Sequence, residues 1–347
     1  MKKTMIALAT IAAVGSASAQ VALTGTFGWG YTAYSTNGVE TSGGGIDTSS
    51  VSFTANEDLG GGMAIKASMA INLGQYAGTT GADDQSLTLT TPVGALSLLT
   101  YKPGNWVTGA SGGSTWYGLD GASLAARAQR DGYAFSVPLM DGLTATVAFT
   151  EPAGTTGLGA GNAGQAKQGI YNVAAKYAAG PVVLQAAYLP LSNAGTSDTT
   201  KDSVVRLGGT YDLGVAKVGA AVESAKLSGG GTNVETAYGL SAPLAANLSI
   251  AGIYASTNLT STLATYAGAA GTRNGYAVQA KYSLSKTTYI LGNYGAWTGA
   301  TATAASDAGY ALDQKTGVST AKAAVAASVK TDAKDSTFMA VTLLKDF

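Results

Sequence analysis

The chain has 347 residues, of which 46% are hydrophobic and 12% charged, with 48 Gly and 18 Tyr. A soluble domain carries about 25% charged residues, so this sequence has unusually little charge with which to face water. It contains no Cys and no His, which excludes disulfides, thiolate chemistry and the usual general base. Its 20 basic and 20 acidic residues balance, so nothing in the overall charge suggests binding of nucleic acid. We expect no cofactor, no metal site and no enzymatic activity.

The first residues predict an exported protein. Two lysines precede an apolar run over 5–14, and the small residues "ASA" follow at 17–19. This order is typical of a secretory signal peptide cleaved after Ala19, and the apolar run is too short to span a bilayer as a helix. We therefore predict a signal peptide over 1–19 and one mature domain, a β-barrel, over 20–347.

From residue 21 onward, apolar and polar residues alternate with a period of two. In "VSFTAN", Val51 and Phe53 share one face while Ser52 and Thr54 share the other. This alternation is typical of strands with one apolar and one polar face. Sixteen segments follow the pattern: 21–34, 47–57, 62–73, 85–92, 95–101, 127–138, 142–150, 168–178, 181–190, 202–212, 214–226, 232–242, 245–256, 273–284, 286–298 and 335–347.

The connections between these segments alternate in length. Short turns such as "EDLGGG" at 57–62 alternate with long stretches rich in Gly, Ser, Thr and Asn, such as 35–46, 102–126 and 299–334. Short turns at one end and long loops at the other are typical of outer-membrane barrels. A spanning sheet must close to pair its backbone, and about 16 strands leave an aqueous channel. The sequence predicts an all-β fold, a 16-stranded antiparallel transmembrane β-barrel, over a soluble sandwich or a β-solenoid.

Several segments resemble the trimeric general porins of Gram-negative bacteria. The likeness lies in "VSFTANEDLGGGMAIKASM", in "VALTGTFGWGYTAY", in the Ser-Lys turn of "YAVQAKYSLSKTTYILGNYG" and in the terminal Phe347. It implies a multi-pass outer-membrane location, a homotrimer, and contacts with outer-membrane lipid and lipopolysaccharide. It also implies that the third extracellular loop folds into the lumen, and that the barrel-assembly machinery reads Phe347 as an assembly signal.

The third long connection, 102–126, is where the resemblance places the constriction. A loop of about 25 residues without a strand pattern is uncommon unless it is functional, and its aromatic residues suit anchoring against the barrel wall. Many relatives carry several carboxylates in this loop, facing basic wall residues across a transverse field. Here Asp120 is the one acid, so we expect no strong transverse field. The candidate loop residues are Lys102, Trp106, Trp116, Tyr117 and Asp120.

Alternation also assigns charged side chains to the polar, lumen-facing side of the strands. Rings of charged side chains set ion preference in pores, so an excess of basic positions predicts a weak anion preference. A register slip of one residue would reverse any single assignment. The predicted pore-lining residues are Arg130, Arg206, Arg273, Lys66, Lys176, Lys217, Lys281, Glu223 and Glu235.

The function expected from these features is passive diffusion of small hydrophilic solutes and ions through a water-filled channel. One alternative is a substrate-specific channel for sugar or phosphate on the same barrel, since Trp106 and Trp116 suit a solute track as well as loop anchoring. A barrel hydrolase is disfavoured, because an activated nucleophile usually needs a His base. A third alternative is an adhesin or structural β protein that never enters a membrane.

The segment "FMAVTLLKDF" is predicted to close the barrel beside 21–34, with Met339, Val341, Leu343 and Phe347 facing lipid. Lys345 departs from the pattern of the porins, which favour an aromatic or apolar residue there. Tyrosines near strand ends are predicted to form aromatic girdles at the two membrane interfaces. They are Tyr31, Tyr34, Tyr101, Tyr133, Tyr177, Tyr188, Tyr211, Tyr254 and Tyr282.

Overall fold

The computed structural model describes most of the chain beyond the predicted signal peptide. The described residues are 20–36, 38–73, 81–103, 106–112, 130–152, 169–191, 201–227, 231–259, 271–300, 310–312, 319–321 and 334–347. The segment 1–19 lies outside them, as do Trp116, Tyr117 and Asp120 of the predicted constriction loop.

Sixteen of the described strands close into one antiparallel barrel, which confirms the predicted fold class. Neighbours around the barrel follow chain order, and the last strand pairs with the first. The barrel strands are β1 (Gln20–Thr36), β2 (Val39–Gly60), β3 (Met63–Asn72), β4 (Gly81–Thr91), β5 (Gly94–Tyr101), β6 (Arg130–Met140), β7 (Leu143–Pro152), β8 (Ile170–Ala179), β9 (Val182–Pro190), β10 (Lys201–Asp212), β11 (Lys217–Leu227), β12 (Thr232–Ala245), β13 (Leu248–Leu259), β14 (Gly271–Ser283), β15 (Thr288–Ala300) and β18 (Lys334–Asp346).

Three smaller elements complete the described structure. A short helix, α1 (Trp106–Ala110), lies in the third long connection, and the strands β16 (Tyr310–Leu312) and β17 (Ser319–Ala321) pair with each other. Among the described residues, no helix is long and apolar enough to cross a membrane.

The two faces of the barrel wall differ as the alternation predicts. Val147 on β7 and Leu207 on β10 are more than half exposed on the outer face. Their strand neighbours Thr146 and Gly208 point to the inside, where Thr146 Oγ1 lies 2.8 Å from Ser136 Oγ. A sheet whose outer face is apolar and whose inner face is polar needs lipid outside and water within.

One predicted loop is a strand pair instead. The stretch 35–46 was expected to be a long connection, yet β1 runs to Thr36 and β2 begins at Val39, so the hairpin continues almost to its tip. The Gly- and Ser-rich sequence "TSGGGIDTSS" has low strand propensity. Pairing with β1 satisfies its backbone groups, and Gly44 leaves room for the ring of Trp29, which lies 3.1 Å from where a Cβ would stand.

The barrel closes through the chain terminus. Phe347 and Gly25 exchange two backbone hydrogen bonds, each 3.0 Å long. The Phe347 ring lies directly over Gly25, and a Cβ there would overlap it. Lys345 also has a partner, because its Nζ donates to Thr287 Oγ1 in the turn between β14 and β15. Met339, Val341 and Leu343 of the same strand are about half exposed on the outer face.

Two of the predicted girdle tyrosines face inward, and that part of the prediction is wrong. Tyr34 packs on the inward-facing Phe338, with ring centroids 4.8 Å apart. Tyr101 lies opposite Arg130 on the lumen side of β5. Position near a strand end does not decide the face; the parity of the residue within its strand does. The other seven are exposed on the outer face: Tyr31, Tyr133, Tyr177, Tyr188, Tyr211, Tyr254 and Tyr282.

Candidate functional site

The sheet register fixes which charged residues point into the lumen. Each of the predicted residues stands on the face opposite the exposed apolar side chains of its strand. For Arg273 the structure describes only the backbone, which pairs with Thr257, and not the side chain. The residues at inward positions are Lys66, Arg130, Lys176, Arg206, Lys217, Glu223, Glu235, Arg273 and Lys281.

Four lysines lie at the short-turn end of the lumen. Lys66, Lys176, Lys217 and Lys281 are each within four residues of a short turn, and they come from β3, β8, β11 and β14. The first three are exposed, and Lys281 Nζ lies 3.8 Å from the centroid of the Tyr289 ring. Lys66, Lys176 and Lys217 thus place charge that solutes can reach around the mouth of the barrel, and the exposed Asp212 stands directly opposite Lys217.

Two more basic residues, Arg130 and Arg206, lie farther from the short turns, on β6 and β10. Arg130, 7% exposed, stands opposite Tyr101 at the start of β6. Tyr101 lies near enough to Arg130, to Arg206 on β10 and to Asp84 to interact electrostatically with all three. Charges on β4, β6 and β10 therefore act together on Tyr101 at the end of β5.

Arg206 does not present a free charge. Its Nε donates a 2.6 Å hydrogen bond to Glu223 Oε2, and Glu223 is 2% exposed. Glu235 lies directly opposite Glu223 on β12 and is 1% exposed. Like charges at opposed positions destabilise a sheet unless a counter-charge accompanies them, and Arg206 supplies one. The positive charge of Arg206 is therefore offset within the wall, and a count of the basic residues alone overstates the positive field.

Helix α1 lies against the inner wall. Trp106 covers the guanidinium of Arg206, with 5.7 Å between the ring centroid and Cζ. Val107 is 1% exposed within a buried apolar cluster. The other members of the cluster are Ala110, Ala221, Ala237, Ile253, Ala255 and Ala277, with Trp106 packed against it. Segment 106–112 thus occupies part of the lumen beside β10, β11 and β12.

Small residues in the wall make room for this helix. A Cβ on Gly208 would lie 2.9 Å from the Ala110 Cβ, and a Cβ on Gly219 would overlap the carbonyl oxygen of Ser111. This recess was not predicted from the sequence. Its signal is a group of Ala and Gly at inward positions of β10–β14, where a water-filled lumen would favour polar side chains.

The start of the loop has an anchor of its own. The backbone N–H of Lys102 donates a 2.8 Å hydrogen bond to Asp84 Oδ1 on β4. Among the described loop residues, Lys102 and Trp106 thus lie at two of the points where the loop contacts the wall. The role of Asp84 was likewise not predicted, because its contact is with the backbone of a residue 18 positions away.

The family relationship agrees with this geometry. A family model described as "Gram-negative porin" matches residues 4–301. The chain belongs to the Gram-negative porin family. Comparison of the porin with curated protein sequences returns no match.

Solved structures share the fold of the porin at low sequence identity. An anion-selective porin from Comamonas acidovorans is 17% identical with a TM-score of 0.68, over 95% of this chain and 100% of that one. The outer-membrane channel DcaP of Acinetobacter baumannii is 10% identical with a TM-score of 0.65, over 96% and 99%. A loop-deletion mutant of OmpT, an outer-membrane protein of Vibrio cholerae, is 13% identical with a TM-score of 0.60, over 95% and 100%.

Family and fold together assign the location. The porin is a multi-pass outer-membrane protein that forms a channel, and the members of its family are channels rather than enzymes. The short turns of such barrels face the periplasm and the long loops face outward. The four lysines therefore lie at the periplasmic mouth.

Proposed function

We propose that this porin is a non-enzymatic, water-filled channel for passive diffusion of small hydrophilic solutes and ions, with a weak preference for anions. The observation that carries the proposal is that basic and acidic side chains of the lumen differ in their exposure to solvent. Lys66, Lys176 and Lys217 are exposed at the periplasmic mouth, whereas Glu223 and Glu235 are almost fully buried. Mobile ions respond most strongly to charges that they can approach without desolvation.

The loop 102–126 is the proposed constriction. Segment 106–112 contacts the inner wall through Trp106 and Val107, and any chain placed inside a barrel reduces the open cross-section. Asp120 is the loop's one acid. The field across the constriction is accordingly weak.

The remaining proposals concern maturation and assembly. We propose that 1–19 is removed on export, leaving 20–347, and that the mature chain forms a homotrimer in contact with lipid and lipopolysaccharide. Phe347 serves as the signal read by the barrel-assembly machinery. Its exposed position on the outer face at the periplasmic edge supports that role.

Reversal potentials in a planar bilayer test the ion preference. Under a KCl gradient, the wild type is expected to show a small shift toward the chloride equilibrium potential. Changing Lys66, Lys176, Lys217 and Lys281 together to Gln is expected to move the potential toward zero or to cation preference. Lys226→Gln is the matched control, because Lys226 points outward from β11. A clear cation preference of the wild type would contradict the proposal.

One observation favours a substrate-specific channel instead. Trp106 and Arg206 lie together in the lumen, and an aromatic ring beside a guanidinium suits binding of sugar or phosphate. Both groups are already engaged, Trp106 with Arg206 and Arg206 with Glu223, so we favour general diffusion. Saturable block of single-channel current by a sugar or by inorganic phosphate would establish the alternative.

A further inference from the structure

The outer wall of β7–β12 carries an apolar groove. Its volume is about 1010 Å³, and it is broad and open rather than enclosed. Most of the residues that line it occupy outward positions, and the surface they present is overwhelmingly apolar. The groove therefore opens toward the membrane and is separate from the lumen.

The register explains the shape of the groove. Across four neighbouring strands, Leu184, Gly209, Ala220 and Tyr238 stand side by side. Leu184 and Tyr238 are each more than half exposed and form the walls. Gly209 and Ala220 between them have little or no side chain and form the floor.

The adjoining small residues extend this floor. Ala175 on β8 pairs with Ala186 on β9, beside the Leu184 wall. Gly209 cannot be larger, since a Cβ there would overlap the carbonyl oxygen of Val183 and lie 2.8 Å from Leu184 Cδ2. The backbone of Val183 therefore keeps residue 209 free of a side chain, and Leu184 leans over it at the edge of the floor.

The position of the groove indicates which leaflet fills it. Tyr177 and Tyr211 line it at the end nearest the turns 180–181 and 213–216, which face the periplasm. Tyrosine places its ring in hydrocarbon and its hydroxyl at the headgroup level. The groove thus runs from the periplasmic interface into the inner leaflet of the outer membrane.

We propose that this groove is a binding site for a phospholipid of the periplasmic leaflet. The acyl chains lie over Gly209 and Ala220, and the headgroup lies beside the hydroxyls of Tyr177 and Tyr211. An apolar depression of this size cannot remain empty without losing packing contacts along its lining. Water does not compete in hydrocarbon, and contact with a second chain is one of the outcomes that the test below distinguishes. The proposal rests on the outer-membrane location and not on ion selectivity.

The test fills the groove by enlarging a side chain of its floor. Ala220→Phe places a ring over the floor, while Ala67→Phe makes the same change at an exposed outward position on β3 outside the groove. Each protein is extracted in mild detergent, delipidated and titrated with dioleoyl phosphatidylethanolamine under native mass spectrometry. The wild type and Ala67→Phe are expected to retain lipid equally, and Ala220→Phe to bind about tenfold more weakly. Ala186→Leu is expected to weaken binding in the same way and serves if Ala220→Phe does not fold.

Several outcomes would overturn the proposal of a lipid site in this groove. Equal retention by Ala220→Phe, or an equal loss in Ala67→Phe, would mean that lipid binds the barrel without using the groove. Loss of the oligomer in Ala220→Phe with unchanged lipid binding would identify the groove as a contact between chains. Displacement of the phospholipid by lipid A at equal concentration would place the occupant in the wrong leaflet. Single-channel conductance of Ala220→Phe is expected to match the wild type, so the test is independent of the proposed pore function.

Discussion

The docking of α1 in the lumen leads to a quantitative prediction at Val107. This side chain is 1% exposed among wall alanines. Val107→Ala removes two buried carbon groups, which costs about 1.6 kcal/mol at about 0.8 kcal/mol each. A change of that size reduces the ratio of docked to undocked loop by roughly fifteenfold. Val107→Asp costs several kcal/mol more, since it would bury an unpaired charge.

Single-channel recording detects the undocked loop. For Val107→Asp we expect a larger mean conductance and frequent brief current transitions, and for Val107→Ala a smaller increase in the same transitions. Gly109→Ala is the matched control on the same helix, because a Cβ there meets no atom within 4 Å. The reasoning is refuted if correctly folded Val107→Asp has the conductance and current noise of the wild type.

Three further predictions follow from other contacts. Gly25→Val is expected to displace the Phe347 ring and lower the yield of heat-modifiable protein in the outer membrane, whereas Gly43→Ala, with open space around it, is expected to leave the yield unchanged. Deleting Phe347 is expected to lower the yield at least as much; normal yield from either change would show that the terminus does not direct closure. Glu223→Gln leaves Arg206 without its counter-charge, so reversal potentials are expected to shift toward stronger anion preference, and a shift toward cations would contradict the ion-pair account.

The alternation of side chains made much of the fold predictable. Lipid outside and water inside impose a period of two on every spanning strand, and the outer face of β18 follows it from Met339 to Phe347. The extended hairpin of β1 and β2 was not predictable in this way. Its Gly- and Ser-rich residues have low intrinsic strand propensity, and pairing with the preceding strand overrides that preference.

The sequence predicts on which face of its strand each residue of the site lies, but it does not predict which residue each one contacts. Parity within a strand places Arg206 and Glu223 in the lumen. Their contact depends on the register between β10 and β11, which the length of the intervening turn determines. The docking of α1 depends on the recess formed by Gly208 and Gly219. The role of these two glycines can be recognised only after the strands that carry them have been placed side by side with the helix.

Conductance of the purified, full-length mature protein in a planar lipid bilayer tests the central claim most directly. A water-filled channel predicts discrete current steps that are ohmic at low voltage and rise almost linearly with KCl concentration. Protein that shows heat-modifiable mobility, and is therefore folded, but produces no such steps would contradict the account.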